Sequence, residues 1–272
     1  MEKEAQIQGF TDYLSTQNLS PNTVRAYLAA IRQYFSLYPE LNHPSLQMYK
    51  LYLLEHYKPQ TVNLRINALN SFLTYLEWPD SRIMQIRVQQ KWFLEHIISE
   101  GDYEYLKARL LEDEQYLYYF LIRFMAATGA RVSEVIQFTV EDVREGCMGI
   151  FSKGNKTRHI YIPASLQSSA LKWLAWIGRN KGDIFLNPSG NRISPDGIRK
   201  QLKRLAARYH LDEQVLHPHS FRHRFAKSFM EHCDDITLLS NLLGHESIET
   251  TRIYLRRSSS EQKAIINQVV DW

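Results

Sequence analysis

The helical periodicity of this chain breaks most clearly around Trp78-Pro79-Asp80, and that break divides the 272 residues into two folding units. Ahead of it, Ser20-Pro21 supplies an N-cap followed by proline at the first helical position, and Leu19 and Val24 occupy the positions of a hydrophobic staple. Val24, Tyr27, Leu28, Ile31, Tyr34 and Phe35 then recur on one helical face. Val62, Ile66, Leu69, Phe72 and Leu76 do the same after Pro59. With weaker helical patterns over 3–16 and 45–57, residues 1–80 are expected to form a four-helix domain. Residues 81–95 are expected to be a linker and 96–272 a second domain. A chain of this length has ample core for both.

The second domain resumes the helical pattern with Tyr103, Leu106 and Leu110 and the aromatic run from Tyr116 to Phe124. Residues 147–162, CMGIFSKGNKTRHIYI, change character: apolar and β-branched residues flank Lys-Gly-Asn-Lys, which predicts a β-hairpin turning near 153–157. Helical patterns return over 164–178, 194–208, 220–232, 235–243 and 247–254. The expected class is mainly α with one small hairpin, so the second domain is α+β.

Charge narrows the partners. The net charge is +4, and residues 1–88 carry eight Lys/Arg against seven Asp/Glu, so most of the excess lies in the remainder. Any nucleic-acid binding must therefore come from local basic clusters rather than bulk charge. Cys147 and Cys233 form neither a CxxC nor a disulfide framework, which fits a reducing compartment. The N-terminus MEKEAQIQGF lacks a signal-peptide core, and no apolar run approaches the roughly 20 residues that would span a bilayer. A cytoplasmic, nucleoid-associated protein without a membrane partner is expected.

The chemistry is concentrated at six positions. ATGARVSE, residues 127–134, places Arg131 after a turn at Gly129 and before a helix, beside free N–H groups that suit a phosphate, with Glu134 as its candidate partner. Lys153 sits at the hairpin turn, where a flexible ammonium can protonate a leaving alkoxide, and Lys156 is close enough to compete for that role. His219, Arg222 and His223 form His-x-x-Arg-His at a helix start. His245 closes Leu-Leu-Gly-His, and Tyr254 follows nine residues later. Alone, each has an ordinary explanation: solvated arginines and lysines, and one packed tyrosine among 16. Together, cations gathered about a phenol are what nucleophilic attack on a phosphodiester requires. The density of His217, His219, His223, His232, Cys233 and His245 also suggests a metal site. That reading is weaker, because no general-base glutamate accompanies His219 and His223 and no nearby carboxylate offers a third ligand.

The blocks SPNTVRAY, ATGARVSE, SKGNK, HPHSFRH and LLGHESIETTRIY, spread almost end to end, resemble the tyrosine recombinases of the phage integrase and Xer type. Ser152 departs from the pattern, since relatives often carry glycine before the hairpin lysine. The resemblance implies an N-terminal SAM-like core-binding domain and a C-terminal catalytic domain that close on DNA as a clamp. It implies Arg131, Lys153, His219, Arg222, His245 and Tyr254 as catalytic residues, Tyr254 being the nucleophile of a 3′-phosphotyrosyl intermediate, with Glu134 supporting Arg131. No metal or other cofactor is expected.

The implied partners are duplex DNA with inverted half-sites and further copies of the chain in a synaptic tetramer. The amphipathic segment 261–272 would be exchanged between those copies, and an accessory protein is possible within such a system. Arg25, Arg32, Arg65 and Lys156 are the candidate DNA contacts. The other functions compatible with this pattern are a type IB topoisomerase-like nicking-closing enzyme and a DNA-binding regulator that leaves its site unused.

Overall fold

The computed structural model describes residues 2–88, 96–152, 156–245, 247–255, 266–267 and 270. The chain forms two compact units, residues 1–90 and 91–272.

The first unit is four helices: α1 (Glu2–Thr16), α2 (Pro21–Leu37), α3 (His43–His56) and α4 (Pro59–Tyr75). Local chemistry sets their starts. The Ser20 hydroxyl accepts from the Thr23 amide at 3.1 Å, and the Asn42 side chain caps α3 by accepting from the Ser45 amide at 2.9 Å. Proline opens both α2 and α4. The helices close on Phe10, Leu14, Ile31, Tyr34, Leu46, Tyr49, Val62 and Phe72, all essentially inaccessible to water, and Leu19 and Val24 pack at the edge.

Residues 82–86, expected as linker, run extended along α4. Asn70 gives its Nδ2 to the Ile83 carbonyl and takes the Ile83 amide, both at 2.9 Å. Asn63 repeats this with Ile86, one heptad earlier on the same face. Two side-chain amides thus stand in for a neighbouring strand, and Ile83 is buried beneath them.

The second unit is organised around α6 (Tyr116–Thr128), whose interior residues Phe120, Leu121, Ile122, Phe124 and Met125 are all buried. Such all-round apolarity marks a central helix. Preceding it is α5 (Glu100–Glu112). After it come the short α7 (Val132–Val135) and α8 (Val140–Glu145), then strands β1 (Cys147–Ser152) and β2 (Lys156–Tyr161). The strands are antiparallel, with Cys147 opposite Tyr161 and Ser152 opposite Lys156, which is the hairpin expected from the residues flanking Lys-Gly-Asn-Lys. The hairpin turn, with Lys153, lies outside the described residues.

Helices α9 (Ala164–Trp176), α10 (Pro195–Arg208), α11 (Pro218–His232), α12 (Ile236–Leu243) and α13 (Ile248–Thr251) follow, and a 3-10 turn, Arg252–Leu255, ends the described site region. The helix expected over 247–254 is therefore a short α-turn running into a tighter one. The Ser220 hydroxyl of α11 accepts the Ile98 amide at 2.7 Å, tying the beginning of this unit to the helix that carries its chemistry. Of the expected tail helix 261–272, only residues 266, 267 and 270 are described. No helix among the described residues is long and apolar enough to cross a membrane.

Candidate active site

Two helix C-termini create the site. Helix α6 ends at Gly129 with φ +62°, and α12 ends at Gly244, also at +62°, a backbone region where glycine is the natural residue. Both positions also lack room. A Cβ on Gly129 would fall 2.3 Å from the Phe225 ring, and one on Gly244 would fall 2.4 Å from Arg158 Nε. These turns expose carbonyl oxygens left without helical partners, at the negative ends of the helix dipoles.

Three arginines occupy those carbonyls. Arg222, only 4% exposed, gives Nη1 to Gly129 O at 2.7 Å and Nη2 to Leu243 O at 2.8 Å. Arg131 gives Nη2 to Gly244 O at 3.0 Å, and Arg158 gives Nη1 to Leu242 O at 2.5 Å. Glu134 supplies the counter-charge. Its Oε1 accepts from Arg131 at 3.0 Å and from Arg158 at 2.5 Å, while Oε2 accepts the Arg131 backbone amide at 2.7 Å. Burial alone would raise the Glu134 pKa. The Arg158 and Arg131 hydrogen bonds and both guanidinium charges outweigh it and hold the carboxyl below the ordinary range. Burial, and then the charge of Arg131, lower Arg222 to about 10, which leaves it cationic at neutral pH.

The histidines divide their labour. His217, dense with its neighbours in sequence, is spent as the N-cap of α11, its Nδ1 accepting the Ser220 amide at 3.2 Å. His245 Nε2 lies 2.9 Å from Arg222 Nη2, and Nδ1 lies 2.7 Å from Thr251 Oγ1. A guanidinium has no lone pair to offer, so Nε2 accepts and Nδ1–H donates to the fully buried Thr251. Burial, then the surrounding arginines, lower His245 to about 4, which keeps the ring neutral in this role. His219 is exposed at the edge of the cluster. Desolvation by its surroundings, then Arg222, Arg199 and Arg131, depress its pKa.

Tyr254 lies in the Arg252–Leu255 turn, packed with Ala226, Leu239 and Leu243 and 9% exposed. Its hydroxyl is 2.8 Å from His223 Nδ1. Burial raises its pKa, and the Arg222 charge only partly offsets this, so the phenol is protonated in the free protein. Among the described residues, no group of three or more His, Cys, Asp and Glu side chains is placed to hold a metal ion.

The structure thus brings together Arg131, Glu134, Arg222, His245 and Tyr254, with His219 beside them. Arg158 and Thr251 join them without having been singled out by the sequence. Arg158 looked like one more strand residue, and nothing local distinguishes it. His223 was visible in His-x-x-Arg-His, but its bond to Tyr254 was not.

Among the candidate DNA contacts, Arg25 and Arg32 are exposed and seven residues apart on one face of α2. Arg65 instead lies 4.0 Å above the Tyr57 ring. Lys156 opens β2.

Residues 98–261 match the phage integrase family, and residues 7–79 match the N-terminal SAM-like domain of phage integrases. The chain belongs to the phage integrase family. This integrase-family chain is 27% identical to a tyrosine recombinase of Agathobacter rectalis, an alignment covering 97% of this chain and 95% of that one. It is 30% identical to tyrosine recombinase XerC of Herpetosiphon aurantiacus, covering 94% and 92%.

Its fold is shared with the Tn1549 transposon integrase in complex with transposon right end DNA, at a TM-score of 0.74 and 14% identity, covering 97% of this chain and 99% of that one. It is also shared with the XerH site-specific recombinase bound to difH substrate, at 0.70 and 18% identity, covering 92% and 79%. The chain is a tyrosine-type recombinase, an enzyme of site-specific DNA recombination.

Proposed function

We propose that this recombinase cuts and rejoins duplex DNA through a 3′-phosphotyrosyl bond made by Tyr254. The observation that carries the reading is the Tyr254 hydroxyl, held by His223 next to Arg222, which is itself bound to His245. A weak nucleophile at the edge of a fixed cationic cluster is suited to attack on an anionic phosphodiester, since the charge that develops meets donors already in place. Tyr254 oxygen bonds to phosphorus, and the 5′ oxygen departs with the bonding electrons and takes a proton from Lys153. Arg131 and Arg222 hold the non-bridging oxygens, His219 adds a hydrogen bond, and His245 presents Arg222. The phosphotyrosyl bond conserves the energy of the bond broken, so rejoining needs no nucleotide.

The wider assembly follows from the same reading. Arg25 and Arg32, with the guanidinium of Arg65 and with Lys156, would track the DNA. Four copies on paired inverted half-sites, linked through segment 261–272, would make the synaptic complex on the nucleoid, with an accessory protein able to set its direction. This draws support from a solved lambda integrase tetramer bound to a Holliday junction, whose fold matches at a TM-score of 0.72.

The test is covalent trapping on nicked duplexes made from the DNA flanking the protein's own gene. An adduct that survives denaturation is expected with the parent and is expected to vanish with Tyr254→Phe. An adduct that persists in Tyr254→Phe would assign the nucleophile elsewhere. Retarded DNA with no adduct would leave a DNA-binding regulator.

A further inference from the structure

The geometry points to His223 as the proton acceptor for the Tyr254 nucleophile, a role that rests on Tyr254 being the attacking residue. A buried phenol is a poor nucleophile until its proton has somewhere to go, and the site must provide that place. Each described basic side chain near Tyr254 has a definable state, and among them His223 is the one that meets the hydroxyl.

Arg131, Arg158 and Arg222 are cations with no lone pair to accept a proton, held in place by backbone carbonyls and, for Arg131 and Arg158, by Glu134. His245 has both ring nitrogens engaged, Nε2 with Arg222 and Nδ1 with Thr251. His217 is spent as a helix cap. His219 is exposed, and its ring centroid is 6.2 Å from that of His223. His223 alone among these has a nitrogen at hydrogen-bond distance from the phenol, 2.8 Å from Nδ1 to the hydroxyl, with ring centroids 5.6 Å apart.

The electrostatics agree with a base rather than an acid. Burial, followed by His219, His217 and Arg222, pushes His223 down to about 4, so the ring is neutral before DNA binds. A neutral ring with its proton on Nε2 presents the Nδ1 lone pair to the Tyr254 O–H. Transfer is uphill in the free protein, because both burial effects oppose charge separation. This keeps the phenol protonated until a phosphate arrives. The negative charge of the phosphate then favours the imidazolium, so the proton moves as the phosphorus is attacked.

The step balances. The O–H bond of Tyr254 breaks, and its proton joins His223 Nδ1. The phenolic oxygen forms the bond to phosphorus, and the 5′ oxygen leaves with its electron pair and is protonated by the leaving-group acid. Rejoining runs the same steps backwards, with His223 returning the proton to the phenol.

The test compares adduct formation in a single turnover by the parent, His223→Ala, His223→Gln and Tyr254→Phe. Two substrates are used, a nicked duplex from the flanking DNA and the same duplex with sulfur replacing the 5′ bridging oxygen. A thiolate leaves without an acid, so the sulfur substrate isolates the proton-acceptor step. His223→Ala is expected to bind DNA like the parent, to lose about 10²-fold or more on both substrates, and to regain part of that rate with added imidazole. His223→Gln keeps a polar group in place, and the same loss is expected there without rescue. An adduct rate within threefold of the parent in both variants would overturn the assignment. So would a loss confined to the oxygen substrate, which would place His223 with the leaving group. If the parent forms no Tyr254-dependent adduct on either substrate, the nucleophile itself is wrong and this role falls with it.

Discussion

Arg65 in the first unit and Arg222 in the second are both withdrawn from water, and the two units solve that problem differently. Arg65 rests its guanidinium on the face of Tyr57 at 4.0 Å, with Nη1 buried and without a hydrogen-bond partner among the described residues. Arg222 is more deeply buried, and each of its terminal nitrogens meets at least one acceptor: Gly129 O, Leu243 O and His245 Nε2. An aromatic face compensates a cation loosely and tolerates a change of position. Carbonyls at two helix ends fix it in direction. The difference is between an arginine that packs and one that is aimed. Aim is what a charge-stabilising residue needs, because its benefit depends on standing ready where charge will develop.

Breaking the second arrangement should have the largest consequence. Arg222→Ala is expected to keep DNA binding and to slow adduct formation by about 10²–10³, the usual result of losing one preorganised donor. Single-turnover trapping measures it, and equal cleavage by variant and parent would remove Arg222 from the site. Gly244→Ala attacks the same device indirectly. It forces a side chain into a backbone with φ +62° and pushes a methyl against Arg158. A loss of about 1–3 kcal/mol in the unfolding of the second unit is expected, together with slower cleavage. Denaturant titration checks the first and trapping the second. A variant as stable as the parent would mean that the α12 turn adapts freely. The smallest effect belongs to Arg65→Met, which keeps the packing volume and removes the cation. A change within about 1 kcal/mol is expected in the unfolding of the first unit, with no change in the cleavage rate of bound DNA. If Arg65→Met slowed cleavage of bound DNA as much as Arg222→Ala, the contrast between packed and aimed arginines would be wrong.

The legible features and the hidden ones separate by the distance along the chain over which they act. Ser20-Pro21, the staple at Leu19 and Val24, and the Lys-Gly-Asn-Lys hairpin were readable because capping and turn formation are settled within a few residues. The six candidate catalytic positions were readable as an ordered set, through the resemblance of their blocks to known recombinases. Segment 82–86 was read as linker because its periodicity is absent. What holds it is a pair of asparagines 13 to 23 residues earlier, acting through side-chain amides that no local pattern reveals.

By itself, then, the sequence determined two helical units, one hairpin, and which side chains could carry phosphoryl transfer, because those depend on local propensity and residue chemistry. The tertiary structure alone decided what each of the described ones touches. Arg158 became part of the site by reaching Glu134, 24 residues away, and Leu242, 84 residues away. His217 became a cap, and His245 an acceptor for Arg222. His223 met Tyr254 across 31 residues. A hydrogen bond requires placement to within a few tenths of an ångström, and in this protein that placement is set where α6, α11 and α12 converge.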